Sequence, residues 1–483
     1  MRVLFATSEA TPLVKTGGLG DVAGALPAAL RARGIDVRLL LPRYRQVGAA
    51  LDRARERASV PALAGFPAAR ILEAKGPRGV PCYLLDCPVL FDRDGGPYQD
   101  AAGADWHDNA VRFGLLSRVA ALLGCAGSPL DWRPDVVHCN DWQTALAPAY
   151  LRFAADARAA SVITIHNLAF QGIVPAGLIG PLGLPAESFT IAGLEYHGSI
   201  SFLKAALAYA DAITTVSPTY AREIQSEPLG FGLQGVLAAR SDALTGILNG
   251  IDTDVWDPER DASIPAAYGP DTLERKAANK RALQERLGLA IEPAVPLAGM
   301  VSRFTDQKGI DLVIEAARWI LRLPAQLALV GTGAREQEDA VRALARHHPG
   351  RAAAFIGFDE PLAHLVEAGA DLFLMPSRFE PSGLNQMYSQ RYGTPPVVHA
   401  TGGLVDSVVD CAPETLADGT ATGFKFAAPT AIALLDAVDR AVGAYRAPAT
   451  WRALQRNGMA RDFSWGPAAV RYAAVYERVA RRP

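Results

Sequence analysis

The stretch VPLAGMVSRFTDQKGIDLVIEAARWILRLPAQLALVGTG, residues 295–333, decides the fold class. Its aliphatic run Val295–Val301 predicts a strand, Asp311–Arg322 has the apolar spacing of a helix, and Gln326–Val330 predicts a second strand. Strand, helix and strand in this order form a βαβ unit, in which the two strands are parallel. We therefore expect a parallel sheet covered by helices in this part of the chain.

The same alternation continues on both sides of this stretch. Toward the C-terminus it predicts, in order, helix Glu336–His347, strands Ala352–Ile356 and Leu372–Met375, helix Asn385–Tyr392 and strand Pro396–Ala400. In the first half it predicts strands Arg2–Ala6, Val37–Leu41, Pro81–Leu85, Val136–His138, Val162–Ile165 and Ala212–Val216, with helices Leu19–Arg33, Asn109–Leu123 and Thr144–Ala155. Two doubly wound α/β domains account for the pattern most simply.

The domain boundaries follow from a break in this periodicity. After GILNGID, residues 246–252, comes WDPERDASIPAAYGP, which has Pro and Gly but no regular spacing and reads as a domain crossing. The predicted domains are residues 1–248 and 249–460, followed by a C-terminal helical segment, 461–483, whose candidate partner is the first domain. Ligands of such sheets bind beyond the carboxyl ends of the strands, so we expect one deep cleft between the domains, with the irregular segment Ala169–Ser199 at its mouth.

Composition excludes several classes of function. Lys and Arg number 48 against 50 Asp and Glu, a net charge of −2 that attracts neither nucleic acid nor an anionic membrane. The five cysteines form no CxxC pair, which favours a reducing compartment. The apolar run at the N-terminus is too short for a secretory signal, and no stretch approaches the about 18 apolar residues of a membrane span. We expect a cytoplasmic protein.

One hexapeptide pattern occurs twice. Residues 16–22 read TGGLGDV and residues 401–407 read TGGLVDS, each before a predicted helix or at its start. Glycines at a helix start expose backbone N–H groups at the positive end of the helix dipole, where phosphate or sugar oxygens bind. Lys15 adds a charge to the first copy only. We expect the first copy to face the phosphate or sugar oxygens of a bound ligand, and the second to support a ligand site from its own half of the chain.

Two further loops follow predicted strands of the second half. VSRFTDQKG, residues 301–309, places Arg303 and Lys308 together, and two cations suit a diphosphate. GTG at 331–333 follows the next strand as a turn that phosphate could approach, although this signal is weak. SRFEPSGLNQ, residues 377–386, brings Glu380 to a helix start, where a carboxylate either complements the dipole or acts on substrate.

Polar residues also follow strands of the first half. DVVHCNDWQ and TIHNLAFQG place Asp141 and His166 just beyond adjacent strands. Two Asp-x-Asp sequences, Asp92 to Asp94 and Asp252 to Asp254, have a spacing that chelates metal in some nucleotide-sugar enzymes, but their Gly- and Pro-rich settings favour ordinary turns. The P-loop sequence, GxSxG and the dinucleotide fingerprint GxGxxG are missing.

These motifs together resemble those of one family, the bacterial glycogen synthases and plant starch synthases. The motifs that carry the resemblance are KTGGLGDV, DVVHCNDW, ITIHNLAFQG, ILNGID, VSRFTDQKG, GTG, LFLMPSRFEPSGLNQ, YGTPPVVHATGGLVDSV and GTATGFKF. They span nearly the whole chain. The resemblance implies a GT-B fold, with two Rossmann-like doubly wound domains facing each other across a deep cleft. It also implies transfer of glucose from ADP-glucose to the non-reducing end of an α-1,4-glucan, with retention of configuration and without a metal or other cofactor.

The resemblance also implies roles for individual residues. Arg303 and Lys308 would hold the diphosphate and Glu380 would lie near the donor sugar and ribose, without evidence for a covalent intermediate. His166 would contact the transferred glucose, and Asp141 would lie close to the reaction centre. The remaining substrate-binding positions that it implies are Lys15, Gly18, Asp21, Asn167, Asn249, Phe358, Ser382, Gly383, Leu384 and Asn385.

This chain departs from the family pattern at a few positions. The family usually has Cys where Ser382 stands, often Tyr where Phe358 stands, and His-Asp-Trp-His where residues 140–143 read Asn-Asp-Trp-Gln. These differences concern the contacts of the base and the acceptor. Two alternatives remain within the fold: a glucan-binding protein without turnover, or a glucosyltransferase with another donor. An NAD-dependent dehydrogenase would need the missing fingerprint, and a nucleotide-sugar epimerase would need different chemistry around the shared donor.

Overall fold

Aliphatic runs form the central strands of two separate sheets. The structure is a computed structural model that describes residues 1–51, 53–155 and 157–481. These residues form two compact units: residues 1–250 joined by the chain from Trp465 onward, and residues 251–464. None of the helices in the described ranges is long and apolar enough to cross a membrane.

The first unit contains twelve strands within the described residues. They are β1 (Arg2–Ala6), β2 (Asp36–Pro42), β3 (Arg55–Val60), β4 (Ala69–Lys75), β5 (Pro81–Asp86), β6 (Val136–Asn140), β7 (Ala160–Ile165), β8 (Ile173–Pro175), β9 (Glu195–Tyr196), β10 (Ser199–Ser201), β11 (Ala212–Thr215) and β12 (Leu244–Gly246). The main sheet has the order β12-β11-β7-β6-β1-β2-β5-β4-β3, in which β12 through β5 are parallel and β4 and β3 antiparallel.

Several of the helices of this unit pack against the sheet. In chain order the α-helices within residues 1–250 are α1 (Gly18–Ala32), α2 (Arg45–Ala50), α3 (Pro88–Phe91), α4 (Asn109–Leu123), α5 (Ala147–Arg152), α6 (Phe202–Tyr209), α7 (Pro218–Glu223) and α8 (Gln234–Ala239). Helices α1, α4, α5 and α7 are among those that contact the strands of the sheet. The strands β6 and β7 are buried along nearly their whole length, which is typical of parallel strands covered on both faces.

The second unit has a wholly parallel sheet. Its strands are β13 (Leu297–Phe304), β14 (Gln326–Gly333), β15 (Ala352–Ile356), β16 (Leu372–Met375), β17 (Pro396–His399) and β18 (Phe424–Phe426), in the order β15-β14-β13-β16-β17-β18. Its helices are α9 (Lys276–Leu287), α10 (Ile310–Ile320), α11 (Arg335–His347), α12 (Glu360–Gly369), α13 (Asn385–Arg391), α14 (Gly402–Ser407), α15 (Pro413–Ala417), α16 (Ala431–Tyr445) and α17 (Pro448–Met459).

Both sheets reverse their winding direction at one place. In the second unit the first three strands run outward from β13 and the next three run outward from β16 on its other side. In the first unit the corresponding neighbours are β1 and β6. Loops that leave the carboxyl ends of two such strands diverge and open a crevice, which is where doubly wound sheets bind ligands. Residues that follow β1, β6, β13 and β16 are therefore the structural candidates for a site.

The last helix, α18 (Trp465–Ala480), belongs to the first unit. It packs against α1, β6 and β7. Its buried residues are Trp465, Ala468, Ala469, Tyr472, Val475, Tyr476 and Val479. The hydroxyl of Tyr476 lies 2.7 Å from Nδ1 of His138, a fully buried residue of β6, and burial lowers the pKa of that imidazole to about 3. This contact ties the helix to the centre of the sheet.

Replacing Tyr476 by phenylalanine should lower the free energy of unfolding by about 1–3 kcal/mol, because Nδ1 of His138 would lose its partner where water cannot replace it. Guanidinium titration at neutral pH measures the change. A midpoint and slope equal to those of the parent protein would show that the hydrogen bond does not stabilise the fold.

The sequence prediction missed strands in two segments. Residues 169–199, predicted to be irregular, contain β8 and β9, which pair with β10 in a small antiparallel sheet, and bury Leu182, Leu184 and Leu194. Strands of two or three residues are too short to show alternation. The antiparallel strands β3 and β4 were missed because Arg and Glu on their exposed sides hide the apolar pattern.

The presumed domain crossing also has a structural role. The segment after Gly250 belongs to the second unit, where Ile264 and Tyr268 are buried and the hydroxyl of Tyr268 donates to the carbonyl of Tyr392 at 2.7 Å. Trp256 stacks between His364 and Tyr388, with 3.9 Å between ring centroids on each side. Aromatic packing rather than regular secondary structure holds this segment in place.

Candidate active site

Arg303 lies at the carboxyl end of β13, beside the reversal point of the second sheet. Its side chain is exposed and makes no hydrogen bond to the described residues. The strand reaches Phe304, three residues beyond the prediction, because β14 pairs with it as far as Gly333. A Cβ on Gly331 would lie 1.9 Å from the carbonyl oxygen of Ser302. The GTG sequence is thus the end of a strand that needs glycine for close backbone approach, and the predicted turn is wrong.

Lys308 and Glu380 form the central ion pair of this unit. Nζ of Lys308 lies 2.5 Å from Oε2 of Glu380, and the hydroxyl of Ser377 donates to the same oxygen at 2.9 Å. The glutamate side chain is 7% exposed and the lysine side chain 20% exposed. Glu380 follows β16 and Lys308 follows β13, so the loops from both strands at the reversal point meet in this contact. The sequence predicted both residues but not that they bind each other.

A second ion pair braces the same two loops. The guanidinium of Arg378 forms two hydrogen bonds with the carboxylate of Asp311, at 2.8 and 2.6 Å, and a third with the carbonyl of Asp306 at 2.7 Å. The paired geometry fixes a planar guanidinium in both distance and orientation. These contacts link the loop that carries Glu380 to the segment that carries Lys308.

The second TGGL sequence packs directly under Glu380. The backbone N–H of Gly403 donates to the carbonyls of Glu380 and Pro381 at 3.1 and 3.2 Å. Gly402 has a φ of +45°, and a Cβ there would lie 2.0 Å from the carbonyl oxygen of Glu380. A Cβ on Gly403 would lie 2.1 Å from that of Ser382. These glycines let α14 begin against the loop that carries the carboxylate, and the supporting role at a ligand site stays a prediction.

The predicted site residues that follow Glu380 differ in their contacts. The hydroxyl of Ser382 is buried and has no hydrogen-bonding partner among the described residues, so it is available to a ligand or to water. Gly383 has a φ of +67°, and Leu384 packs against the apolar residues of α13. Asn385 donates from Nδ2 to the carbonyl of Val301 at 2.7 Å, which ties α13 to β13. Its amide therefore has a structural contact as well as its predicted substrate contact.

Phe358 presents its ring to solvent. It follows β15 and is 84% exposed, whereas an aromatic residue of its size is ordinarily buried. Asn249, in the first unit, is a polar residue that is buried, with 7% of its surface exposed. Its Oδ1 has no hydrogen-bonding partner in the described part of the chain. An exposed ring and an unpartnered buried amide oxygen are both features that a bound ligand would explain.

In the first unit, Glu9 occupies the position after β1. Its carboxylate accepts hydrogen bonds from the backbone N–H groups of Thr16 and Gly17, at 2.5 and 3.2 Å, and from the hydroxyls of Thr16 and Tyr98. It is 3% exposed. Sequence reasoning missed this residue, although its place just beyond the first predicted strand was a usable signal.

The hydrogen bonds from Thr16 and Gly17 to Glu9 change the interpretation of the first TGGL sequence. The N–H group of Gly17, which was expected to meet phosphate, binds the carboxylate of Glu9 instead, as does that of Thr16, and Lys15 pairs with Asp21 at 2.7 Å. Helix α1 begins at Gly18, one residue before the predicted start. Gly17 has an extended φ of −158°, and a Cβ on it would meet no atom within 4 Å. The space beside this glycine is open, in contrast to the packed glycines at 402 and 403.

Asp141 has an unusual backbone conformation. Its φ of +55° with ψ of −174° lies in a region that is adopted almost only by glycine. Its Oδ1 accepts from the backbone N–H groups of His166 and Asn167, at 2.6 and 3.4 Å. Burial, with a smaller contribution from Glu9, raises the pKa of this carboxyl to about 7. The strain of the backbone coincides with a predicted site residue.

His166, directly after β7, lies beside Asn140. Its Nε2 is 3.0 Å from Oδ1 of Asn140, which is buried at the end of β6. Burial lowers the pKa of the imidazole to about 3, so the ring is neutral at pH 7. The structure thus brings Asn140, Asp141, His166 and Asn167 together at the carboxyl ends of β6 and β7. Asn140 was recognised in the sequence only as a departure from the family pattern.

The two Asp-x-Asp sequences have local partners. Asp92 and Asp94 bind the guanidinium of Arg45, and Asp252 accepts the backbone N–H of Asp254 at 3.0 Å. Both sequences therefore have ordinary loop contacts. Across the described residues no group of three or more His, Cys, Asp or Glu side chains could hold a metal ion.

Replacing Asp141 by asparagine should remove a pH dependence from the stability of the protein. The pKa of the Asp141 carboxyl is raised from 3.8 to about 7 in the folded protein. Between these two pH values the carboxyl is protonated in the folded protein and ionised in the unfolded chain. The carboxyl therefore stabilises the fold below its unfolded pKa, and this contribution is lost as the pH rises through about 7. Relative to the parent, the variant should gain up to about 1.4 kcal/mol per pH unit between about pH 5 and 7.

Guanidinium unfolding of both proteins at several pH values measures this difference. The buried histidines titrate in both proteins, so their contributions cancel in the comparison. A stability difference that is the same at every pH would contradict the raised pKa.

Comparison with known proteins adds to this geometry. Residues 2–239 match the family described as starch synthase catalytic domain, and residues 285–453 match glycosyl transferases group 1. A glycogen synthase of Aromatoleum aromaticum is 58% identical, with 99% of this chain and 96% of that protein covered. A glycogen synthase of Nitrosospira multiformis is 55% identical, with 98% and 96% covered.

Solved structures agree in fold. The catalytic domain of starch synthase IV from Arabidopsis thaliana, bound to ADP and acarbose, aligns with a TM-score of 0.87 at 32% identity, over 100% of this chain and 99% of that one. Sucrose-phosphate synthase from Thermosynechococcus elongatus aligns with a TM-score of 0.59 at 18% identity, over 99% of this chain and 98% of that one, and shares the fold alone.

Proposed function

The chain belongs to the glycogen and starch synthase family of glycosyltransferases and has its GT-B fold, and from this premise we propose the reaction and the residues that carry it. The protein transfers glucose from ADP-glucose to the non-reducing end of an α-1,4-glucan and retains the anomeric configuration. The Arabidopsis starch synthase, whose structure contains ADP and acarbose, supports both a nucleotide donor and a glucan acceptor. A cytoplasmic location completes the proposal and agrees with buried, unpaired Cys82, Cys87 and Cys139.

The observation that carries the proposal is the set of charges at the reversal point of the second sheet. Arg303 is exposed and has no partner in the described residues, while Lys308 is held against Glu380 at 2.5 Å. Cleavage of a sugar–phosphate bond leaves negative charge on the diphosphate, and fixed cations stabilise that charge without reorganising. In this proposal Arg303 and Lys308 bind the diphosphate and assist its departure.

Glu380 acts on the donor as a hydrogen-bonding carboxylate. Its Oε2 is already engaged by Lys308 and Ser377, which favours a positioning and electrostatic role over nucleophilic attack. Attack of the acceptor on the same face as the departing diphosphate then retains the configuration, and the diphosphate oxygen removes the acceptor's proton. Ser382, Gly383, Leu384, Asn385 and Phe358 complete the donor side, with the exposed ring of Phe358 stacking on adenine.

The first unit contributes the contacts of the transferred glucose. His166 and Asn167 present their side chains beyond β7, and Asp141 fixes the backbone of both. Lys15, Gly18 and Asp21 lie at the start of α1, and Asn249 offers an unpartnered amide oxygen. A glucan-binding protein without turnover would have no need of the ion pair between Lys308 and Glu380, which argues against that alternative.

The test is a panel of donors. We expect the purified protein to extend glycogen with ADP-glucose in the presence of EDTA, as measured by incorporation of labelled glucose. UDP-glucose and GDP-glucose measure the preference for the base. Digestion of the product with enzymes specific for α-1,4 linkages tests retention. Failure of all three donors to extend glycogen would overturn the proposed function, and a product with β linkages would overturn the proposed mechanism.

A further inference from the structure

The side-chain amide of Asn140 has only one orientation that satisfies its neighbours. It is fully buried, and Nδ2 lies 3.0 Å from the carbonyl oxygen of Ala6, at the end of β1. A carbonyl oxygen can only accept a hydrogen bond, so the NH2 group must face it. Oδ1 therefore faces the other neighbour, Nε2 of His166, at 3.0 Å.

This orientation decides which ring nitrogen of His166 carries the proton. Oδ1 of Asn140 has no hydrogen to donate, so Nε2 of His166 must donate to it. Burial lowers the pKa of the ring to about 3, and a neutral imidazole has a hydrogen on one nitrogen only. Nδ1 is then left with its lone pair and can accept a hydrogen bond.

The charged and titratable groups around the ring do not reverse this assignment. The carboxylate of Asp141 binds the backbone N–H of His166 rather than its ring, and that of Glu9 is engaged by Thr16, Gly17 and Tyr98. The ring of His138 is engaged by Tyr476 and Thr164. Among the described residues of the first unit, Asn140 is thus the group that selects the tautomer.

We propose that Asn140 is a positioning residue that holds His166 as the Nε2–H tautomer, so that Nδ1 accepts a hydrogen bond from a hydroxyl of the transferred glucose. The identity of that hydroxyl donor rests on the proposed function, whereas the tautomer rests on the contacts of Asn140 alone. The proposal gives a purpose to one departure of this chain from its family, which usually has histidine here.

The chemistry of the two residue types explains how either can serve. A neutral histidine has one N–H and one lone pair, so at position 140 it could donate to Ala6 and accept from His166, as the amide does. Leucine has nearly the shape of asparagine but can form neither hydrogen bond. Asn140→His should therefore preserve the tautomer, and Asn140→Leu should release it.

Nitrogen-15 NMR of protein labelled in its histidines reads the tautomer directly, because protonated and unprotonated ring nitrogens differ widely in chemical shift. The chain has eight histidines, and His166→Gln identifies the resonances by their loss. In the parent protein at neutral pH we expect a protonated Nε2 and an unprotonated Nδ1. A protonated Nδ1 would overturn the proposal, and this measurement requires no activity and, beyond the parent protein, only the assignment variant His166→Gln.

The variants test the consequence for turnover. Asn140→Leu should average the two nitrogen shifts of His166 and lower kcat/KM for the donor about tenfold, while Asn140→His should keep the parent tautomer and stay within about threefold of the parent rate. Thr144→Val is the structural control, since it removes hydroxyl contacts to the backbone of Asn140 but leaves the ring of His166 untouched. It should lower stability without changing the tautomer.

Two results would separate failure of this inference from failure of the proposed function. An Asn140→Leu protein that keeps the parent tautomer and rate would overturn the role of Asn140, even if the protein extends glycogen. A parent protein that shows the expected tautomer but uses none of the sugar nucleotides would leave the tautomer established and overturn the activity.

Discussion

Lys308→Met should lower kcat for glucan extension by about 10²- to 10³-fold, because removing a fixed cation from a developing negative charge has an effect of this size in other enzymes. The lysine lies 2.5 Å from Glu380 in a pair that is largely shielded from water, so its loss also leaves a buried carboxylate without its partner. That second effect should lower stability by about 3–5 kcal/mol. Initial rates at saturating ADP-glucose and guanidinium unfolding measure the two effects separately.

A double variant distinguishes catalysis from structure. Lys308→Met combined with Glu380→Gln removes both charges and should recover much of the lost stability, since no buried charge remains unpaired. Activity should not recover, because the cation at the diphosphate is still missing. If the double variant regained both stability and rate, Lys308 would be a structural residue only. Arg335→Met, which changes an arginine side chain that is 95% exposed, is the control for loss of positive charge in this unit.

Gly402→Ala should lower kcat by about 10²-fold or more and also destabilise the second unit. A Cβ at this position would lie 2.0 Å from the carbonyl oxygen of Glu380, and backbone cannot move aside as a side chain can. Either α14 or the loop of Glu380 must shift, and a shift of about 1 Å in a catalytic group can cost two orders of magnitude in rate. Steady-state kinetics with ADP-glucose and glycogen give the loss.

Gly419→Ala supplies the matched control for this substitution. Gly419 also has a positive φ, +73°, but a Cβ there would meet no atom within 4 Å. Alanine at position 419 should therefore lower the free energy of unfolding by about 1 kcal/mol, because its Cβ makes the left-handed backbone conformation unfavourable. It should leave kcat unchanged. Equal losses of activity in the two variants would show that contact between Gly402 and Glu380 is not the cause.

The repeated fold was predictable from the sequence because its central strands are long aliphatic runs with clear limits. Strands β1, β15 and β16 and helix α4 have the predicted bounds, since turn residues or charges stop the apolar pattern on both sides. The strands of residues 169–199 were not predictable, because they are held by pairing with one another and by burial rather than by a local pattern. Tertiary contacts, which periodicity does not record, decide such segments.

The candidate site was predictable as a set of positions but not as a set of contacts. Residues after strand ends were identified, yet the partner of Lys308 is Glu380, 72 residues later, and no local pattern indicates such a pairing. Glu9 lies just beyond the first predicted strand, so its position could have been identified, but its contacts with Thr16 and Gly17 depend on the return of the loop to its carboxylate. Asn140 became a candidate positioning residue only when both of its neighbours were known.

The two TGGL sequences are not copies of one structural position. The first follows β1, the innermost strand of its sheet, whereas the second follows β17, which lies one strand beyond the reversal point in the other sheet. In the first unit the strand that lies one position beyond the reversal point is β7, which therefore corresponds to β17. The residue that follows β7 is His166, and no TGGL sequence follows this strand. An inherited internal repeat would have placed the two sequences after corresponding strands. Their glycines also differ in surroundings, since Gly402 and Gly403 pack against the loop of Glu380 whereas Gly17 has open space beside it.

The position of α18 has a consequence for how the protein is made. The first unit is finished by a helix that the ribosome delivers only after the whole second unit has been synthesised. Until then the nascent chain exposes the apolar surface of α1, β6 and β7 that the buried side of α18 later covers. The hydrogen bond between His138 and Tyr476 also has not formed. Domains usually fold in the order of their synthesis. In this chain the domain that is started first is completed last, so translational pausing late in the message would prolong the life of an aggregation-prone intermediate.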